Sequence, residues 1–182
     1  MPSRRSNLLW SVSLTLAMLG LTGCGGDTFD AQKVKIRAEE KPVSLDGNQA
    51  MLNPQIVQCG VQAELWEEPY FQTPEVAYAH LSSAGRALGF DDDVVVAEPG
   101  FANPYVQIRG QFQVVVGEIP FIRDSGGDKI ANAKIGVVIN HSCIGLPLPL
   151  MGVKRGRFAA DVNPELRFRF YNNRWNFDGI IH

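Results

Sequence analysis

Apolar residues fall along this chain in two manners. Residues 8–20 form one nearly continuous apolar run, interrupted by Ser11, Ser13 and Thr15. From residue 42 onward they come as short periodic patches. In residues 55–65, Val57, Cys59, Val61, Ala63 and Leu65 alternate with Gln58, Gly60, Gln62 and Glu64. That period predicts a half-buried strand with Cys59 facing inward. In residues 74–88, Ala77, Leu81, Ala84 and Leu88 recur at the spacing of one helical face. Thr73 suits the N-cap, Pro74 the first helical position and Glu75 the positive helix end. Gly89 is placed for the helix stop and Phe90 for the apolar contact after it. This is the one main helix the pattern predicts.

Strands dominate the chain beyond this helix. Residues 105–119 are rich in β-branched, alternating positions. Asp124-Ser125-Gly126-Gly127-Asp128 reads as a hairpin loop, and residues 130–143 as the returning strand. Residues 145–156 form a proline-interrupted loop, and residues 158–162 a short strand. Residues 165–171 and 174–181 form a last hairpin across Asn172-Asn173, residues that tolerate positive φ. Leu166, Phe168 and Phe170 share one face of it, with Arg167, Arg169 and Tyr171 on the other. Residues 24–41 have few apolar positions and read as a flexible tether, with Val34-Lys35-Ile36-Arg37 able to add an edge strand. The expected fold class is α+β, with one main helix packed on a curved, mostly antiparallel β-sheet in a single domain over 42–182. The helix-then-sheet order resembles cystatin-like and nuclear-transport-factor-like domains over about residues 74–181. That resemblance is architectural and implies a pocket between helix and sheet.

The N-terminal run belongs to a different plan. Arg4 and Arg5 precede it and small residues close it, as in a secretory signal. A spanning helix needs ~20 predominantly apolar residues, so the run is short for a permanent anchor. It ends in Leu21-Thr22-Gly23-Cys24, which resembles the lipobox of bacterial lipoproteins. The resemblance covers residues 1–24. It implies that residues 1–23 are a signal peptide and that Cys24 becomes a lipidated N-terminus, making the membrane a partner through its lipid. Each buried CH₂ contributes ~0.8 kcal/mol, and durable anchoring takes more than one chain. In that family an aspartate after the cysteine favours the inner membrane. Gly25 stands there, which implies the periplasmic face of the outer membrane in a host with two membranes.

Charge narrows the partners. Seventeen Lys and Arg side chains stand against 19 Asp and Glu, and removing Arg4 and Arg5 makes the balance more acidic. No overall pull towards nucleic acid follows. Beyond Cys24 only Cys59 and Cys143 remain, and in an oxidising compartment an even pair reads as a disulfide.

Several clusters carry candidate chemistry. His141-Ser142-Cys143 could pair an imidazole with a thiolate, although no third, orienting group is evident. Asp91-Asp92-Asp93 and Asp124 to Asp128 offer carboxylates without the alternating spacing of a calcium loop. His80 has Ala84 four residues on, so no helical histidine pair exists. The most distinctive region is a candidate partner surface. It combines Leu146, Leu148 and Leu150 of the proline-interrupted loop with Lys154, Arg155, Arg157, Arg167 and Arg169. Exposed, such a surface would meet another envelope protein or an anionic envelope component.

No catalytic residues, cofactor or metal are assigned. The expected function is a non-enzymatic, membrane-tethered binding or assembly module. The alternatives are a small-ligand or lipid carrier with a pocket between helix and sheet, and a thiol enzyme using Cys143 and His141.

Overall fold

The computed structural model describes residues 28–181. The signal peptide expected over 1–23 and the acceptor Cys24 lie outside the described residues. The chain opens with helix α1 (Ala31–Glu39), strands β1 (Val43–Ser44) and β2 (Asn48–Met51), and helix α2 (Pro54–Gln62). The hairpin β3 (Tyr70–Thr73) and β4 (Val76–Ala79), the short helix α3 (Ser83–Ala87), β5 (Phe90–Ala97) and β6 (Tyr105–Ile108) come next. Then come β7 (Gln111–Phe112), β8 (Val114–Val116), β9 (Phe121–Ser125), β10 (Asp128–Asn132) and β11 (Ile135–Val137). The last strands are β12 (Leu148–Pro149), β13 (Gly152–Lys154), β14 (Arg157–Ala159), β15 (Glu165–Tyr171) and β16 (Arg174–Ile181).

Among the described residues the strands form five small sheets, ordered β2-β6-β5-β4-β3, β16-β15-β10-β9, β12-β11-β8, β1-β7 and β13-β14. The pairings are antiparallel. The described residues are mostly β with three short helices, which overturns the expected α+β arrangement of one main helix on one curved sheet.

Three local readings fail for identifiable reasons. The predicted helix over 74–88 is a β-hairpin arm followed by one helical turn. Thr73 pairs with Val76, so Pro74-Glu75 is the hairpin turn and not a helix start. Ala77 and Ala79 go into the core while Val76, Tyr78 and His80 face outward, which is period two. The predicted strand over 55–65 is mostly helix α2. Asn53 caps it by accepting the Ile56 N–H at 2.8 Å, and Pro54 takes the first turn. Glu64 and Leu65 N–H groups then return to the Val61 and Gly60 carbonyls at 3.1 and 2.8 Å, closing a Schellman motif.

The expected tether is helix from Ala31, capped by the Asp30 side chain accepting the Lys33 N–H at 2.9 Å. Val34 and Ala38, four apart, are buried, and Ile36 is exposed, so the apparent strand alternation was one helical stripe seen in part.

The turn-based expectations meet a different outcome. Gly126-Gly127 and Asn172-Asn173 all take positive φ and close two-residue hairpins, β9–β10 and β15–β16. The strand expected over 130–143 splits between two sheets as β10 and β11. Cys59 on α2 and Cys143 in the turn after β11 are joined as a disulfide, 84 residues apart in sequence.

One continuous core links the sheets, with Trp66, Phe168, Leu45, Ile108 and Leu148 among its largest fully buried side chains. The edge of the five-stranded sheet is covered. Met151 donates to the Gln49 carbonyl at 2.9 Å, and Leu150 donates to Ile135 at 2.8 Å, which joins β2 to β11. On the other side of that small sheet, the Glu39 carboxylate of α1 accepts the Val116 N–H at 2.6 Å.

Candidate functional site

The five-stranded sheet buries one face and leaves the other open. On β6, Val106 and Ile108 are buried while Tyr105 and Gln107 face out; on β4, Ala77 and Ala79 are buried while Tyr78 faces out. Register then assembles a row across the strands. Tyr105 pairs with Val95, Val95 with Tyr78, and Tyr78 with Tyr70. Three of the protein's four tyrosines therefore stand in line on one open surface. Gln49 pairs with Gln107 alongside them.

An irregularity in β5 shapes the middle of this surface. The register shifts between Asp91 and Val95, and Asp92 adopts φ 57°. Such a bulge inserts extra chain and re-aims side chains. It lets the Asp93 carboxylate reach the His80 Nδ1 at 2.6 Å and the Leu81 N–H at 3.3 Å. His80 stacks on Tyr70 with ring centres 4.6 Å apart, so the Asp93 contact holds one end of the tyrosine row through the imidazole. At the other end the Tyr105 hydroxyl donates to the Glu98 carboxylate, and Phe101 packs on the Tyr105 ring at 4.8 Å. Burial, then the Glu98 hydrogen bond and charge, pushes the Tyr105 phenol up, which keeps it a neutral donor.

Between these fixed ends lies a cavity of about 390 Å³. Tyrosine rings, two amides and the Asp92 and Asp93 carboxylates line it. Gln49 is one of the lining residues, and its Oε1 is buried without a hydrogen-bond partner. An unpaired buried acceptor is costly in a folded protein. The arrangement supplies flat apolar faces for stacking, and amide and carboxylate groups for binding hydroxyls.

Compared with family models, curated proteins and solved structures, the chain matches none of them.

The residues singled out from sequence are distributed differently. Leu148 and Leu150 are buried, 1% and 4% exposed, because Leu148 pairs with Val137 and Leu150 bridges to Ala50. They belong to the core and not to a partner surface; Leu146, 79% exposed, is the outward leucine of that loop. Lys154 reaches Asp161 at 3.4 Å, and Arg155 occupies the β13–β14 turn with Gly156, beside exposed Arg157. Arg167 and Arg169 lie on a different sheet and share Asp128 and Asp178 at 3.3–4.0 Å. The expected basic patch is thus divided between two sheets, and much of its charge is neutralised.

Cys143 carries no thiol because its sulfur is bonded to Cys59, and His141 Nδ1 accepts the Cys143 N–H at 3.2 Å inside the turn. His80 lies after a strand and not in a helix. Asp91 to Asp93 sit on β5. Among the described residues no group of three or more His, Cys, Asp or Glu is arranged to hold a metal ion.

Local sequence reasoning missed the tyrosine row because Tyr70, Tyr78 and Tyr105 lie on three strands. The alternation of residues 76–80 and 105–108 was the available signal for which side faces out.

Proposed function

We propose that this chain is a lipid-anchored binding module of the bacterial envelope, and that its ligand is a neutral saccharide held on the open face of the five-stranded sheet. The observation that carries the reading is the in-register row Tyr105, Val95, Tyr78 and Tyr70 beside the paired Gln49 and Gln107 on the same open face. A pyranose is apolar on its C–H faces and polar around its rim. Tyrosine rings match the faces, and the glutamine amides and the Asp92 carboxylate match the rim hydroxyls. The anchor rests on Arg4-Arg5, the apolar run and Leu21-Thr22-Gly23-Cys24, with Gly25 favouring the outer membrane.

The test is isothermal titration of the detergent-solubilised mature protein with neutral chito-, cello- and malto-oligosaccharides. One series is expected to bind, and Tyr78→Ala or Gln107→Ala to weaken it about tenfold, equivalent to about 1.4 kcal/mol. Binding by none of them, or binding that both variants leave unchanged, refutes the assignment.

A second reading has its own observation. A cleft of about 440 Å³ lies between α2 and the strands, lined by Val57, Val61, Pro69, Val96 and Pro104 among others. Its apolar walls suit a small apolar ligand, the carrier alternative. Native mass spectrometry that recovers a bound lipid, displaced by Val61→Trp, would favour it over the saccharide face.

A further inference from the structure

The fold takes hold of the chain very soon after Cys24. The Phe29 ring packs against Phe168 at 4.8 Å and against Trp175 at 5.2 Å, and α1 begins two residues later. Four residues, and so five steps along the chain, separate Cys24 from Phe29. A fully extended chain spans at most ~3.6 Å per residue, so acylated Cys24 can lie no more than about 18 Å from Phe29. A domain of this size has a radius of gyration of roughly 15 Å. The corner that carries Phe29 is therefore held at the bilayer, and the far side of the domain cannot be.

That corner has an unusual surface. Phe170 packs on Trp175 at 5.3 Å, so Phe29, Trp175 and Phe170 form one continuous aromatic path to the tip of the β15–β16 hairpin. At the tip Phe170 and Tyr171 are about half exposed, 49% and 53%. Phe168, two residues earlier on the same face as Phe170, is fully buried. The apolar stripe of β15 thus runs out of the core and continues past it. Aromatic side chains with an apolar body and a polar tip favour the water–lipid interface.

The nearby cations are engaged. Arg174 lies 3.5 Å from Glu40, Arg169 is shared between Asp128 and Asp178, and Lys129 sits beside Asp124 and 5.6 Å from the centre of the Trp175 ring. The tip is thus close to electrically balanced, which points to apolar insertion in preference to attraction by anionic headgroups.

We propose that the hairpin tip, Phe170 to Arg174, lies in the interfacial region of the bilayer that holds the Cys24 lipid and orients the domain on that surface. The proposal rests on the lipid-anchor reading above. It commits to a lipid bilayer as the occupant because of where the chain leaves the fold. A second copy of this chain covering the same aromatics is an outcome the test detects.

The experiment uses the mature protein in phosphatidylcholine vesicles with bromine on the upper acyl chain. Cleavage after residue 23 leaves Trp66 and Trp175 as the tryptophans, and Trp66 is buried. Bromolipid is expected to quench most of the Trp175 emission, and Trp175→Phe to abolish the quenching. Phe170→Ser with Tyr171→Ser, both at exposed positions, is expected to reduce it strongly, and added salt to change it little. Intact mass on the same sample reports the anchor independently. An acylated sample with unquenched Trp175, or quenching that survives Trp175→Phe, overturns the orientation while leaving the anchor standing. Unquenched Trp175 with a doubled particle mass in detergent assigns the tip to a second copy. An unmodified Cys24 overturns the anchor and this orientation together.

Discussion

Replacing Gly60 by alanine sets two magnitudes against each other. Gly60 lies within α2, where alanine is ordinarily better by about 1 kcal/mol. A Cβ built on Gly60, however, falls 2.0 Å from Trp66 Cζ2 and 2.3 Å from Cε2. Carbon atoms settle near ~3.5–4.0 Å, so the helix or the indole must move by more than an ångström. Neither is free to do so. Trp66 is 1% exposed, its Nε1 donates to the Val57 carbonyl at 2.8 Å, and its ring meets Phe90 edge-on at 5.7 Å. The neighbouring Cys59 ties the helix to Cys143.

Overpacking of this kind costs about 1–3 kcal/mol. Displacing the indole leaves its buried N–H unpaired for a further ~1–3 kcal/mol. Against the helical gain, the expected net loss is about 3 kcal/mol, a large share of a domain's usual ~5–15 kcal/mol. Equilibrium urea unfolding followed by tryptophan emission measures it, with near-ultraviolet circular dichroism reporting the Trp66 environment. If Gly60→Ala is as stable as the parent with an unchanged Trp66 signal, the close contact between α2 and the indole is wrong.

Three further outcomes are expected from local geometry. Reducing the Cys59–Cys143 bond, or Cys59→Ala with Cys143→Ala, frees a loop of 84 residues; the chain-entropy model gives an upper loss of about 4–5 kcal/mol, read as a lower urea midpoint. Glu64 holds φ 56° at the end of α2 with its side chain exposed, so Glu64→Gly is expected to raise stability by about 1 kcal/mol, and a lower melting temperature would contradict that. The Asp46 carboxyl is held below its ordinary range first by the Ser44 hydroxyl and then by the Gly110 N–H, each at 2.7 Å. A lowered folded pKa means its stabilisation is full above the ordinary carboxylate range and is lost as pH falls through the lowered value. Thermal melts from pH 6 down to about pH 2 should therefore fall less steeply in Asp46→Asn.

What the sequence by itself determined was carried by interactions between near neighbours. Gly126-Gly127 and Asn172-Asn173 demanded positive φ and so placed two hairpins. The alternation of Leu166, Phe168 and Phe170 set which face of β15 turns inward. Even there, only the tertiary structure decided where burial stops along that face, because Phe170 extends beyond the core that covers Phe168. Residues 56–61 fit a strand period and a helical face equally well, and the Asn53-Pro54 start signal was the local evidence separating them.

Elsewhere the deciding partner was distant. Residues 76–79 follow a helix start signal and carry part of a helical spacing, yet β3 and β5 flank them on both sides and claim their backbone hydrogen bonds. Leu148 and Leu150 are buried because β11 and β2 offer them edges, which no pattern within residues 145–156 encodes. Arg167 and Arg169 look like a basic patch until Asp128 and Asp178 are brought beside them. The candidate site is of this second kind throughout. Tyr70, Tyr78 and Tyr105 are ordinary strand residues in sequence, and antiparallel register alone sets them in a row, because side-chain neighbourhood in a sheet is fixed by pairing between strands and not by order along the chain.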